Sequence, residues 1–208
     1  MGVVCFDWGG VILRICRSFP EGVKAAGLDQ REGVDNAALF DVRRAFSAKH
    51  QVGEISDDEF FARVSESYNG LYTPDEVALV HDAWLLGEYD GVSGLVGELH
   101  ETAPCPTALL SNTNARHWGR RVSDFPTAGL LHLQHASHLL GLAKPNEQIY
   151  EAFENETGFS GAQIVFFDDL EPNILAARNR GWRAVQVDHT GDPASQMRRS
   201  LVGLGVLS

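Results

Sequence analysis

Three apolar runs in this chain, VVCF, TALL and IVFF, each predict a buried strand that ends at polar side chains. They are followed by Asp7, by Ser111 and Asn112, and by Asp168 and Asp169, respectively. In an open α/β sheet ligands bind at the carboxyl ends of the strands, so we expect these side chains to meet at one edge. A carboxylate at such an edge can attack phosphorus or carbon and form a covalent ester.

The chemistry of these residues indicates a metal-assisted reaction on a phosphate ester. An anionic nucleophile and a phosphate repel each other, and the three aspartates supply the oxygen ligands that Mg²⁺ favours. Lys144, in GLAKP, lies before a predicted helix and is a candidate for neutralising the remaining negative charge. The hydroxyl of Ser111 and the amides of Asn112 are candidates for binding the oxygens of the transferred group.

Strands and helices alternate over most of the chain. Apolar runs predict strands at residues 3–6, 107–110, 131–136, 164–167 and 184–187. Amphipathic patterns predict helices at residues 114–123, 146–157 and 174–179. Such alternation indicates βαβ units and a parallel sheet, and the continuous apolar strands fit a sheet covered on both faces. The predicted fold class is α/β.

Residues 14–89 interrupt the alternation with helical patterns alone. Three helices are predicted there, at residues 37–49, 57–67 and 74–86. Ser56 and Glu59 have the spacing of a capping box at the start of the second of these helices. An all-helical insert directly after the first strand predicts a cap over that strand's end. We therefore predict a core of residues 1–13 and 90–208 and a cap domain of residues 14–89.

Charge and composition narrow the class of partner. With 28 acidic and 17 basic residues the net charge is −11, which repels nucleic acid and anionic membranes, so neither is expected as a partner. No run approaches the roughly 18 to 20 apolar residues of a membrane helix, and the N-terminus lacks a signal-peptide pattern. The three cysteines, without a C-x-x-C pair, fit a reducing compartment. We expect a cytoplasmic protein, whether monomer or homodimer.

Four segments of the chain resemble the motifs of the haloacid dehalogenase superfamily. They are FDWGGVI around Asp7, LLSNT around Ser111, GLAKPNEQIYEAF around Lys144 and VFFDDLEPNILAARNRGW around Asp169, in the family's order. The resemblance implies a Rossmann-like core with a helical cap, an aspartyl-enzyme intermediate and Mg²⁺ as cofactor. The residues of these motifs are most similar to those of sugar-phosphate phosphatases and the phosphatase domains of epoxide hydrolases. This similarity implies a small phosphorylated metabolite as substrate.

The resemblance also implies a role for each motif residue. By motif position Asp7 would be the nucleophile, and Lys144 would pair with it and contact the phosphoryl group. The other implied roles are metal binding by the backbone carbonyl of Gly9 and by Asp169, with Asp168 close by, and phosphoryl binding by Ser111 and Asn112.

Gly9 departs from the pattern of most phosphatases in the superfamily, which have a second aspartate there to protonate the leaving alcohol. General acid catalysis contributes about 10²–10⁴-fold in rate. Three interpretations remain open: a substrate whose leaving group needs little protonation, a proton supplied by water or by His50 or Glu54 of the cap, or a protein that binds a ligand without turnover. A metal-independent 2-haloacid dehalogenase is disfavoured, because the doubled Asp168-Asp169 indicates a cation.

Overall fold

A five-stranded parallel sheet forms the centre of the computed structural model, which describes residues 2–34, 38–103 and 105–208, without the side chains of 38–40. In chain order the strands are β1 (Val3–Phe6), β2 (Leu13–Ile15), β3 (Leu85–Glu88), β4 (Thr107–Ser111), β5 (Leu133–Ala136), β6 (Ile164–Asp168) and β7 (Arg183–Gln186). The order in the sheet is β5-β4-β1-β6-β7, with all neighbours parallel. This confirms the predicted α/β fold.

Helices cover both faces of this sheet, and others lie in the insert, between β2 and β3. They are α1 (Phe19–Ala25), α2 (Ala38–His50), α3 (Asp57–Ser67), α4 (Pro74–Asp82), α5 (Val92–Thr102), α6 (Ala115–Gly119), α7 (Pro126–Leu130), α8 (Ser137–Leu140), α9 (Glu147–Thr157), α10 (Glu171–Asn179) and α11 (Pro193–Gly203). Side chains of α5, α6, α7 and α11 pack on one face, and those of α9 and α10 on the other.

The central strand β1 shows why its sequence is apolar throughout. Val4 and Phe6 belong to the core cluster on one face, while Val3 and Cys5 belong to the cluster on the other. Successive side chains of a strand point to opposite faces, so a strand covered on both faces has no position for a polar residue. The polar residues begin where the strand ends, at Asp7, and this places the chemistry at the rim of the sheet.

The insert between β1 and α5 has a hydrophobic core of its own. Phe19, Val64, Tyr72 and Val77 are among the buried side chains that helices α1, α3 and α4 and their connecting loops contribute to it. The chain leaves the sheet through β2 and returns through β3, and these two strands form an antiparallel ribbon. The sequence did not predict this ribbon, because three- and four-residue strands are too short to show a period.

The ends of the insert helices differ in detail from the predictions. The predicted helix 74–86 ends at Asp82, because the chain turns there and Leu85 begins β3. The side chain of Ser56 accepts a hydrogen bond from the backbone N–H of Glu59, as expected of an N-cap. Residue 37, the predicted start of the first of these helices, lies outside the described residues. Within the described part of the chain, no helix is long and apolar enough to cross a membrane.

Candidate active site

The carboxyl ends of β4, β1 and β6 bring polar groups from distant parts of the sequence together. β1 lies between the other two strands, so Asp7, which follows it, lies between Ser111 at the end of β4 and Asp168 at the end of β6. The backbone N–H of Asp7 donates to the carbonyl of Phe167, 2.8 Å away. One carboxylate oxygen from each of Asp7, Asp168 and Asp169 lies within 4.8 Å of the others, and all three residues are buried.

Lys144 connects this carboxylate cluster to the neighbouring strand. Its Nζ lies 2.9 Å from Oδ1 of Asp7 and 2.7 Å from Oδ2 of Asp168, and it donates to the carbonyl of Leu110 at 2.8 Å. The backbone of Lys144 is held on both sides by Asn112, whose side-chain amide accepts from its N–H and donates to its carbonyl, each at 2.8 Å. The side-chain amide of Asn112 therefore positions Lys144, while the sequence had indicated contact with the transferred group.

Asp168 is the most deeply buried member of the cluster, with no exposed surface. Asn173 donates to both of its carboxylate oxygens, at 2.9 and 3.0 Å, and the backbone N–H of Leu170 donates to Oδ1 at 2.8 Å. These contacts and Lys144 occupy both oxygens of Asp168. Its observed contacts are those of a residue that holds Lys144 in place. Asn173 was not among the predicted site residues, although it lies in the segment VFFDDLEPNILAARNRGW.

Asp169 contacts a positively charged side chain that the sequence did not indicate. Arg17, in the loop after β2, donates from Nη1 to Oδ2 of Asp169 at 2.7 Å. Burial raises the pKa of Asp169, and Arg17 opposes the rise. Gly10 allows this approach: at φ +87° it adopts the left-handed conformation, and a Cβ there would lie 2.5 Å from the carboxylate of Asp169.

The electrostatics of the cluster favour an additional cation. Burial raises the pKa of Asp7 to about 7; Lys144 opposes this rise, and the neighbouring carboxylates of Asp168 and Asp169 add to it. Burial also disfavours the ammonium of Lys144, but the adjacent aspartates outweigh that effect and raise its pKa. Lys144 and Arg17 thus offset two of the three carboxylate charges, and carboxylate oxygens are the ligands that a hard divalent cation prefers. The residues present fit Mg²⁺.

A cavity of about 340 Å³ opens between the sheet edge and the helices of the insert. Gly9, Ser111 and Asn112 line it from the core, and side chains of α1 to α4 line it from the opposite side. His50 is among the latter, with Nε2 2.7 Å from Oδ1 of Asp57. Glu54 is exposed and is not among the lining residues. Of the two cap residues considered as proton donors, only His50 reaches the cavity.

An apolar side chain packs against Gly9, the position at which the resemblance led us to expect an acid. A Cβ on Gly9 would lie 3.0 Å from Cδ1 and 3.4 Å from Cγ2 of Ile15. A contact of 3.0 Å requires the neighbour to move by a few tenths of an ångström, so an aspartate at this position would need Ile15 to shift. The glycine at position 9 and the position of Ile15 therefore depend on each other.

Two histidines lie where the insert contacts the core. The ring of His81, on α4, stacks on that of His117, on α6, with centroids 4.0 Å apart, and Nε2 of His117 donates to the backbone carbonyl of His81 at 2.8 Å. Burial lowers the pKa of His81 well below its ordinary range and lowers that of His117 to about 4. Beside them, Arg116 of α6 binds the carboxylate of Asp82, and Arg120, which follows α6, donates to the backbone carbonyl of Asp82.

We expect acid to weaken the fold through His117. A histidine with a lower pKa in the folded than in the unfolded state favours folding above the unfolded value, and this contribution disappears as the pH falls toward the folded value. Between about pH 7 and about pH 4.5, His117 should account for a loss of about 2–3 kcal/mol in the free energy of unfolding. His117→Gln, which keeps a side-chain N–H, should show a correspondingly smaller loss in urea titrations.

The matched control for this measurement is His189→Gln, in the loop after β7. It should lose as much stability as the parent protein over the same pH range. Equal losses for the parent protein and His117→Gln would contradict the assignment.

A parallel sheet, an insert after its first strand and a buried aspartate cluster at the carboxyl edge are the arrangement expected of the superfamily that the four motifs resemble. The chain belongs to the haloacid dehalogenase-like hydrolase family, whose model matches residues 1–181. This confirms the family that the four motifs resemble and the prediction that the protein is a hydrolase.

Three known proteins illustrate the similarity. "Phosphatase MT3486" of Mycobacterium tuberculosis (strain CDC 1551 / Oshkosh) is 35% identical over 72 residues, which are 35% of this chain and 33% of that protein. This match thus spans about a third of that relative's length.

The other two are solved structures, and at their level of identity they show the fold alone. The HAD family enzyme BT-2542 of Bacteroides thetaiotaomicron, in complex with magnesium and inorganic phosphate, aligns with a TM-score of 0.77 at 20% identity and covers 95% of this chain and 100% of that one. The L-2-haloacid dehalogenase of Xanthobacter autotrophicus aligns with a TM-score of 0.62 at 18% identity, over 100% and 85%.

Proposed function

We propose that this hydrolase is a Mg²⁺-dependent phosphomonoesterase that acts on a small phosphorylated metabolite, such as a sugar phosphate, through an aspartyl-phosphate on Asp7. The carboxylate cluster carries the proposal: oxygens of Asp7, Asp168 and Asp169 lie within 4.8 Å of one another, and Lys144 lies 2.9 Å from Asp7. Two similar proteins support it, since one was crystallised with magnesium and phosphate and the other is named a phosphatase.

In this proposal Asp7, Asp169 and the backbone carbonyl of Gly9 hold the metal, and Asp168 completes the cluster of negative charge. When bound, Mg²⁺ offsets the repulsion between the nucleophile and the phosphoryl oxygens. Arg17 donates to Oδ2 of Asp169 and keeps that carboxylate at the sheet edge.

The chain's own residues orient the nucleophile. The backbone N–H of Trp8 donates to Oδ1 of Asp7 at 2.7 Å, and Lys144 contacts the same oxygen. Because both contacts fall on Oδ1, we assign the attack on phosphorus to Oδ2. The P–O bond to the leaving group breaks as the new ester forms, and water then hydrolyses the acyl phosphate. Lys144 and Ser111, with the backbone of Asn112, are assigned to the phosphoryl oxygens.

The leaving alcohol requires a proton, and Gly9 cannot supply one. Our proposal combines a substrate whose leaving group needs little protonation with a donor in the cavity, either water or His50. The imidazole of His50 lines the cavity next to Asp57, with which it forms an ion pair when protonated.

The proposal also includes the predicted division of the chain into domains, its cellular compartment and its oligomeric state. Residues 14–89 form the cap, and residues 1–13 and 90–208 form the core. We place the protein in a reducing cytoplasm, as a monomer or homodimer, and its cysteines are free thiols in the structure: Cys5, Cys16 and Cys105.

Removal of the metal tests the proposal directly. With p-nitrophenyl phosphate, whose leaving group scarcely needs an acid, we expect turnover in Mg²⁺ that EDTA lowers by at least about 100-fold, since a hard cation contributes several kcal/mol of charge stabilisation. Excess Mg²⁺ should restore the rate. Release of p-nitrophenolate is measured by absorbance.

Other outcomes identify the alternatives. Absence of turnover with any activated phosphate ester, despite measurable Mg²⁺ binding, would leave a ligand-binding protein without catalysis. Release of halide from a 2-haloacid in the presence of EDTA would indicate a dehalogenase.

A further inference from the structure

The cavity next to the carboxylate cluster has the opposite charge to the protein as a whole. The chain carries a net charge of −11, yet the described lining residues include Arg17, Arg43 and Arg44 and neither an aspartate nor a glutamate. Such a concentration of guanidinium groups in a cleft raises the local concentration of anions. A phosphoryl group at the sheet edge, where Arg17 is already paired with Asp169, does not account for Arg43 and Arg44 on the insert.

The arginines belong to two different parts of the structure. Arg17 binds Asp169 and therefore lies next to the carboxylate cluster. Arg43 and Arg44 lie on α2, in the insert. Arg43 donates to the hydroxyl of Tyr68 at 2.8 Å, and its guanidinium lies 5.3 Å from the ring centre of Phe19.

Arg44 is the more accessible of the two arginines on α2. Its side chain is exposed at the cavity and forms no ion pair with any residue in the described part of the chain. A guanidinium in this position presents several N–H donors in a planar fork that suits a carboxylate or a phosphate.

Much of the remaining lining from the insert is apolar. It includes Phe60, Val64, Val80 and Trp84, together with the polar side chains of Ser47, His50 and Gln51. A volume of about 340 Å³ is within the range of small-molecule sites, and apolar walls with a few polar groups at fixed points are typical of them. The lining therefore suits a small ligand that carries a second anionic group besides the phosphoryl group.

We propose that the substrate is a phosphomonoester with a second anionic group, a carboxylate or another phosphate, which Arg43 and Arg44 bind while the first phosphoryl group faces Asp7. This inference rests on the proposed phosphatase function and assigns its substrate class. The second anion binds to the insert, and so selects among phosphate esters that present the same group to the carboxylate cluster.

Matched substrate pairs test this assignment. One pair is phenyl phosphate and 4-carboxyphenyl phosphate, and the other is fructose 6-phosphate and fructose 1,6-bisphosphate. We expect kcat/KM to be at least about tenfold higher for the more charged member of one pair, because charge-assisted bidentate contacts are among the stronger hydrogen bonds. The pair that shows the preference identifies the second group as carboxylate or phosphate.

Variants assign the preference to α2. Arg44→Gln and Arg43→Gln should each reduce the ratio of kcat/KM within the preferred pair toward one. Lys49→Gln, which removes an exposed charge from the same helix but does not line the cavity, should leave the ratio unchanged. A ratio near one for both pairs in the parent protein, or a ratio that both arginine variants retain, would overturn the proposal.

Calorimetry separates this test from that of the proposed function. If the parent protein hydrolyses no phosphate ester at all, the phosphatase proposal fails, and binding of the same four compounds is measured instead. Tighter binding of the more charged member, lost in Arg44→Gln, would still support the second anion site. Equal binding within both pairs would refute it.

Discussion

Asn in place of Asp7 is expected to lower kcat for p-nitrophenyl phosphate by about 10⁴-fold or more, the scale seen when a covalent nucleophile is removed. An amide cannot form the acyl phosphate, whereas its carbonyl oxygen can still accept from the backbone N–H of Trp8 and from Lys144. The fold should therefore persist. Acid quenching during turnover should trap a phosphorylated chain in the parent protein and none in Asp7→Asn.

Asp188→Asn is the matched control for this variant. Asp188 also follows a strand of the parallel sheet, but it is exposed and accepts hydrogen bonds from Thr190. Its substitution should leave kcat within a factor of about two, as expected of a surface position away from the chemistry. Substantial turnover by Asp7→Asn, with phosphate still trapped on the chain, would show that another residue is the nucleophile.

The second large effect is expected from Lys144→Ala. The Nζ of Lys144 is buried between Asp7 and Asp168, so its removal leaves clustered carboxylates without their buried counterion. Breaking a buried ion pair on one side costs about 3–5 kcal/mol, and for a chain of this size this corresponds to a Tm lower by roughly 6–20 °C. Thermal unfolding in EDTA measures it, and turnover should be lost as well.

Added Mg²⁺ distinguishes charge from packing as the cause. If the loss of stability comes from unbalanced negative charge, Mg²⁺ should recover more of the Tm in Lys144→Ala than it adds to the parent protein, because ligands stabilise the state that binds them. Lys24→Ala, which removes an exposed lysine from α1, should change the Tm little. A similar Tm for Lys144→Ala and the parent protein in EDTA would contradict the assigned role of this ion pair.

Much of the core could be predicted from local patterns. VVCF, TALL and IVFF are short continuous apolar runs, as expected of strands buried on both faces, and each strand ends within a residue of the predicted position. The parallel arrangement then follows from the alternation with helices. Asp7, Asp168 and Asp169 lie together for this topological reason, and no contact between their side chains had to be known in advance.

Contacts that depend on the path of the insert could not be predicted. Arg17 reaches Asp169 across 152 positions of sequence, and its own neighbourhood contains no pattern that indicates an ion pair. The same holds for the packing of Ile15 against Gly9, which depends on the ribbon of β2 and β3. The role of Asn112 in holding Lys144 likewise emerges only when two loops are placed side by side.

The amino-acid sequence by itself determined which residues could do chemistry and on which edge of the sheet they lie. Periodicity and strand-end position are local properties, and local properties can be read along a chain. Only the tertiary structure decided which of those residues contact one another, which are used to position others, and what charge lines the cavity above them. These depend on the free energy of packing the insert against the core, a sum over contacts between segments far apart in sequence.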